Sequence, residues 1–209
     1  MNQSRMKVEA VTVSVNYSDY LLKCISNKML LDRWLIITHQ NDKKTIQVCK
    51  DNELEYICSD RIYDSAYFAK GRGINDGLNH IKPSGWVLQL DSDILLPDNF
   101  RDVLTHPELD NTCIYGSPRF YATGKKRIEI NPKTNEPHKR PLIGFFQMWH
   151  SSKYSEYPER SVHAGDDDEY HSLRFEWPDK WKYLDLHLID VSGVCNQNWY
   201  GRGKHRWIR

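Results

Sequence analysis

Hydrophobic positions along the first ninety residues switch between two periods in regular alternation. In segment 8–16, Val11, Val13 and Val15 recur at every second position, the spacing of a strand with one buried face. Tyr17-Ser18-Asp19 offers a helix cap, and Leu21, Leu22, Ile25 and Met29 follow at helical spacing. The run 33–38 reads as a buried strand, Asn41-Asp42 as the cap of a helix reaching about Asn52, and 54–58 as a third strand. Phe68, Ile74, Leu78 and Ile81 predict a helix over 67–81 despite its glycines. Pro83-Ser84-Gly85 ends that helix, and 86–90 forms the fourth strand. This β-α-β-α-β-α-β order predicts an α/β fold: a mainly parallel central sheet with flanking helices. Ligands of such sheets sit at the carboxyl ends of the strands.

The second half breaks the alternation. Segments 113–116 and 144–149 predict strands, 166–175 a short helix and 181–189 one further strand. Between the first two lies a polar, basic stretch, 119–140, expected to be a hairpin or a loop. No linker or repeat divides the chain, so one domain over 1–209 is expected, with both halves sharing one sheet. Trp149, Trp177, Trp181, Trp199 and Trp207 concentrate here, as core volume or as flat surfaces for sugars and bases.

Charge and cysteine usage narrow the function classes. Lys plus Arg number 29 and Asp plus Glu 28, so the net charge of +1 gives no global argument for a nucleic-acid coat or a polybasic membrane binder. No apolar run approaches the ~20 residues of a membrane helix, and residues 1–5 carry no apolar block of a signal peptide. The five cysteines (Cys24, Cys49, Cys58, Cys113, Cys195) are odd in number and scattered, against a disulfide framework or a zinc knuckle. A soluble, cytoplasmic protein is expected.

Asp91-Ser92-Asp93 follows the fourth strand directly. In extended chain, residues two apart point the same way, so both carboxylates are expected to face one point at the sheet edge. Such oxygen ligands suit Mg²⁺ or Mn²⁺, bridged to a diphosphate. Lys70, Gly71 and Arg72 open the third helix, where free amides and positive charge suit an anionic ligand, and Asn75 is placed to hold a neighbouring loop.

Lys70-Gly71-x-x-x-Asn75-x-Gly77-Leu78, an apolar strand and then Leu90-Asp91-Ser92-Asp93 together resemble the family-2-like glycosyltransferases of the GT-A fold. The resemblance implies a Rossmann-like donor half over about 1–112 and an acceptor half over about 113–209 with a tail covering the donor. It implies a UDP-type nucleotide-sugar donor and a divalent cation, Mn²⁺ or Mg²⁺, on Asp93 with Asp91, Ser92 lying between them at the donor. The opening strand's end, Val15 and Asn16, and the region of Asp42 would face the nucleoside. The family's paired aspartates after the second strand are replaced here by Thr38-His39-Gln40-Asn41-Asp42, leaving Asp42 and Asp60 as candidates for base contacts. Asp166-Asp167-Asp168-Glu169 with Arg174 looks like the family's acidic motif. On that register Asp168 is the catalytic base, and Asp167, its rival, points away along the helix start. Leu186-His187-Leu188 and Asn198-Trp199-x-Gly201-Arg202 resemble the end of small transferases of this kind. His187 would complete the metal site, with His205 as runner-up, and Trp199 and Arg202 would close on the donor. Lys70 and Arg72 would neutralise the diphosphate.

The resemblance implies inversion at the anomeric carbon and one sugar per visit to a saccharide, glycoconjugate or modified-DNA acceptor. A DNA acceptor, or plain nucleic-acid binding, is the alternative raised by Lys125-Lys126-Arg127, Lys139-Arg140 and the basic, aromatic tail.

Overall fold

A computed structural model of the chain describes residues 6–63, 68–105, 109–126, 144–159, 164–176 and 178–192. The first half builds β1 (Val8–Val13), α1 (Ser18–Lys23), β2 (Arg33–Thr38), α2 (Lys43–Asp51), β3 (Glu55–Cys58), α3 (Lys70–Ile81) and β4 (Trp86–Leu90). The chain continues through β5 (Ile94–Leu95), α4 (Phe100–Thr105), β6 (Ile114–Gly116), β7 (Arg119–Tyr121), β8 (Phe146–His150), α5 (Ala164–Leu173), β9 (Trp181–Tyr183) and β10 (Leu188–Asp190).

Seven strands form the central sheet in the order β3-β2-β1-β4-β8-β6-β9. β1 pairs in parallel with β2 and β4, and β2 with β3, whereas β8 runs antiparallel to β4 and β6. The two halves therefore share one sheet, as expected. Strand alternation divides the core between its faces. Val11, Val13, Leu35, Ile37 and Val87 belong to one buried cluster, and Ala10, Trp34, Ile36 and Leu88 to the other. The first face receives α3, whose Gly77 allows the approach: a Cβ there would stand 2.7 Å from Ile37 Cδ1. The glycines that weaken the helical pattern of 67–81 thus fit α3 against the sheet. Trp149 and Trp181 are core residues, 0% and 5% exposed.

Two expectations are corrected. The helix predicted through Met29 ends at Lys23 and continues as a 3-10 turn over Ile25–Leu30. The strand predicted over 181–189 is two strands in different sheets: β9 pairs with β6, while β10 joins β5 and β7 in a second, three-stranded sheet. Leu184 and Leu186 are buried between them, so the apolar alternation continues although the pairing partner changes. The 119–140 stretch opens as a hairpin, one of the two forms expected: β7 turns at Gly124 so that Lys126 bridges back to Phe120. The rest of that stretch lies outside the described residues.

Candidate active site

The carboxyl ends of β1, β2 and β4 lie at one edge, and a single buried ammonium organises it. Lys70, first residue of α3, donates to Asp91 Oδ1 at 2.7 Å, to the Gly144 carbonyl at 2.7 Å and to Asp168 Oδ2 at 3.0 Å. Burial works against its proton, but Asp168 and Asp91 outweigh that and hold its pKa above the ordinary lysine value. All three N–H groups are committed, so the lysine expected to neutralise a diphosphate instead ties the Asp91 loop to α5. Gly144 leaves room for this: a Cβ there would fall 1.6 Å from Asp168 Oδ2.

Asp168 is 4% exposed, and its other oxygen, Oδ1, lies 2.8 Å from the Tyr157 hydroxyl. Burial pushes its carboxyl up to about 7; Lys70 pulls against that shift and Asp91 adds to it. Asp167 does not point away. It is fully buried and accepts the Gly71 amide at 2.8 Å, a carboxylate at the positive end of α3. The Gly71 amide expected to meet a phosphate is therefore already used. Asn75 holds the loop after β8, as its position suggested, through the Tyr157 amide and carbonyl at 2.6 and 2.8 Å and Glu159 at 2.8 Å. Arg72 lies 3.7 Å from Glu159.

Asp91 and Asp93 do not share one extended strand. Residues 92–93 form a turn closed by the Ile94 amide on the Asp91 carbonyl at 3.2 Å, with Ser92 buried inside it. Asp91 faces Lys70 and Gln89, while Asp93 lies in the field of Asp190. Burial, then Asp91 and Asp190, push the Asp93 carboxyl up to about 7, opposed by Arg119. Asp190 was not foreseen. Antiparallel pairing sets it opposite Ile94, and the Val191 amide donates to the Asp93 carbonyl at 2.9 Å. Its signal in the sequence was the one that marked Asp91, an acid closing an apolar run.

His187 is exposed and stacks on Phe120, ring centroids 3.6 Å apart. Among the described residues no group of three His, Cys, Asp or Glu side chains is placed to hold a metal, so Asp91, Asp93 and His187 are not assembled into one site. The donor chemistry nevertheless fits a hard cation. Mg²⁺-type sites need only one or two carboxylates, with water and phosphate oxygens completing the shell. An acid pushed up to about 7 by burial and then by its acidic neighbours is also one that a cation would relieve.

On the nucleoside side, Val15 is buried, and Asn16, in the left-handed region at φ 60°, donates its amide to Asp42 Oδ2 at 2.7 Å. Asp42 also caps α2 through the Thr45 amide at 3.1 Å and is 3% exposed, so its carboxylate serves the fold instead of facing a base. Asp60 lies in the open, 3.5 Å from His39. Trp199, Arg202 and His205 lie outside the described residues.

The architecture matches known structures although the sequence does not. No protein-family model matches the chain, and no curated protein does. Glucosyl-3-phosphoglycerate synthase from Mycobacterium tuberculosis, in complex with Mn²⁺ and UDP-glucose, is similar at 14% identity and a TM-score of 0.55, over 87% of this chain and 70% of that one. The inositol-1-phosphate CTP transferase from T. maritima is similar at 12% identity and a TM-score of 0.52, over 94% and 95%. The chain thus has the GT-A-type fold that sugar transferases and nucleotidyltransferases both display. Among the described residues no helix is long and apolar enough to cross a membrane.

Proposed function

We propose that the chain is an inverting, divalent-cation-dependent glycosyltransferase that moves one sugar from a UDP-type nucleotide sugar to an acceptor hydroxyl. The observation that carries this reading is the meeting of Asp91 and Asp168, one from each half, on the Lys70 ammonium at the carboxyl edge of the sheet. Asp93 and Asp91 would hold Mn²⁺ or Mg²⁺, which supplies Lewis-acid stabilisation of the departing diphosphate. Asp168 takes the proton of the acceptor hydroxyl, and its carboxyl near 7 suits a base working at neutral pH. Lys70 fixes that carboxylate against the Asp91 loop, a positioning task. Trp199 and Arg202 of the tail would close over the donor. A nucleotidyltransferase on the same fold is less well supported, because Ser14-Val15-Asn16-Tyr17 after β1 has no glycine and its Asn16 amide is taken by Asp42.

Titration of UDP with and without Mn²⁺, and product formation from UDP-sugars, test the reading. Asp93→Asn should abolish Mn²⁺-dependent UDP binding while the fold persists. Asp168→Asn should keep that binding and lose roughly 10²–10⁴-fold in turnover, the worth of a positioned base. The base must be ionised, so turnover should rise with pH through about 7 and level off above it. Equal UDP affinity in Mn²⁺ and in EDTA would refute the metal assignment, and an active Asp168→Asn the base.

A further inference from the structure

The contacts around Asp168 admit a proton count. Lys70 accounts for its three N–H groups on Asp91, the Gly144 carbonyl and Asp168 Oδ2. On the opposite side, the Tyr157 hydroxyl stands 2.8 Å from Asp168 Oδ1 and 2.8 Å from Gln147 Oε1. The Gln147 amide cannot be turned round, since its Nε2 donates to the Asp168 backbone carbonyl at 2.9 Å and an oxygen in its place would face an oxygen. Tyr157 therefore confronts two acceptors with one proton. If Asp168 is a carboxylate, one of those contacts is oxygen against oxygen with nothing between. If Oδ1 carries a proton, it passes to the tyrosine oxygen, the tyrosine proton goes to Gln147, and every contact holds one.

A charge count agrees. Among the described residues, the groups facing Asp168 are Lys70 from α3, Asp91 beyond β4, Tyr157 from the loop after β8 and Asp167 on its own helix. Lys70 is shared between Asp91 and Asp168, and Asp167 accepts the Gly71 amide at the start of α3. Among these groups, a charge on Asp168 as well as on Asp91 would have one ammonium to share. His171, stacked on the Tyr157 ring at 4.3 Å and kept neutral by burial, supplies no charge.

We propose that Gln147 is a positioning residue that, through the Tyr157 hydroxyl, keeps a proton on Asp168 in the resting protein. The catalytic consequence rests on the reading of Asp168 as the base: this proton must leave before the carboxylate accepts one from an acceptor hydroxyl. The hydrogen-bond assignment itself does not depend on that reading.

Carbon-13 NMR of aspartate side chains, in protein free of metal and nucleotide, reads the state of Asp168, its resonance identified by its loss in Asp168→Asn. Gln147→Met removes the competing claim on the tyrosine proton, which can then serve the carboxylate. The Asp168 midpoint should fall by about one pH unit or more, the scale of one hydrogen bond to a charged group. A midpoint unchanged or raised overturns the proposal. Should Gln147→Met not fold, Tyr157→Phe decides: removing the hydroxyl that accepts the Asp168 proton should lower the midpoint, and a midpoint unchanged or raised overturns the proposal. No substrate is present, so failure of this titration leaves the transferase reading standing. Inactivity with every nucleotide sugar, conversely, would sink that reading and leave the titration intact. If both stand, the acid limb of the pH–rate profile should move down with Gln147→Met.

Discussion

Replacing Lys70 by Met separates its two assignments, a contact for diphosphate or the structural centre of the edge. Methionine keeps the buried stem and deletes the ammonium, leaving three acceptors without a donor. Asp91 is 33% exposed and can turn to water, so it adds little to the cost. The Gly144 carbonyl and Asp168 Oδ2 have no such escape, and each buried acceptor left unmade costs about 1–3 kcal/mol. Together they give about 4 kcal/mol. For a chain of this length that lowers Tm by roughly 8–16 °C. Denaturation followed by tryptophan fluorescence measures it, with Trp149 in the core as reporter. Adding Asp168→Leu removes acceptor and donor together and should return part of the loss, a coupling that a double-mutant cycle isolates. A lysine serving only phosphate predicts the reverse: weaker UDP binding with Tm within about 2 °C of wild type, less than ~1 kcal/mol. That result would refute the structural role.

Two further outcomes test what surrounds the edge. His187→Ala should leave Mn²⁺-dependent UDP binding within about twofold, less than ~0.5 kcal/mol, because its ring stacks on Phe120 instead of joining Asp93; abolished dependence in the same titration would restore it to the metal site. A DNA acceptor would require affinity that falls steeply with salt, and replacing the exposed Lys125 and Lys126 by Ala should flatten that slope by about two phosphate contacts; no binding to duplex or single strand at low salt removes nucleic acid from the acceptors.

How much of this was legible in the sequence follows from which interactions are local. β2 and β4 appear at their expected bounds because each is a buried run closed by polar residues, a pattern contained within the segment. The split of 181–189 was not legible. Period-two alternation reports which side chains are buried but not which strand supplies the hydrogen bonds, and β9 and β10 differ only in that. The chemistry divides the same way. The positions of Asp91, Asp93 and Asp168 could be marked because acids that close apolar runs or open helices stand out in one dimension. Their partners could not, since the Gly144 carbonyl, Tyr157 and Gln147 are unremarkable until the second half folds onto Lys70.

Lys70 shows why motif and role come apart. A lysine at a helix start beside glycines has the local features of an anion site, and nothing within ten residues argues otherwise. Its partners arrive from Asp91, Gly144 and Asp168, so its role is fixed by packing at long range. The same glycines then acquire a different reason. Gly71 is small because the Pro158 carbonyl and then the Asp167 carboxyl occupy the space a side chain would need, at 2.0 Å and 2.8 Å from a Cβ, and Gly144 because the Asp168 carboxyl does, at 1.6 Å. What resembles a cradle for phosphate in one dimension is, in three, the socket that holds the acidic helix α5 against the edge where the cation and the donor would meet.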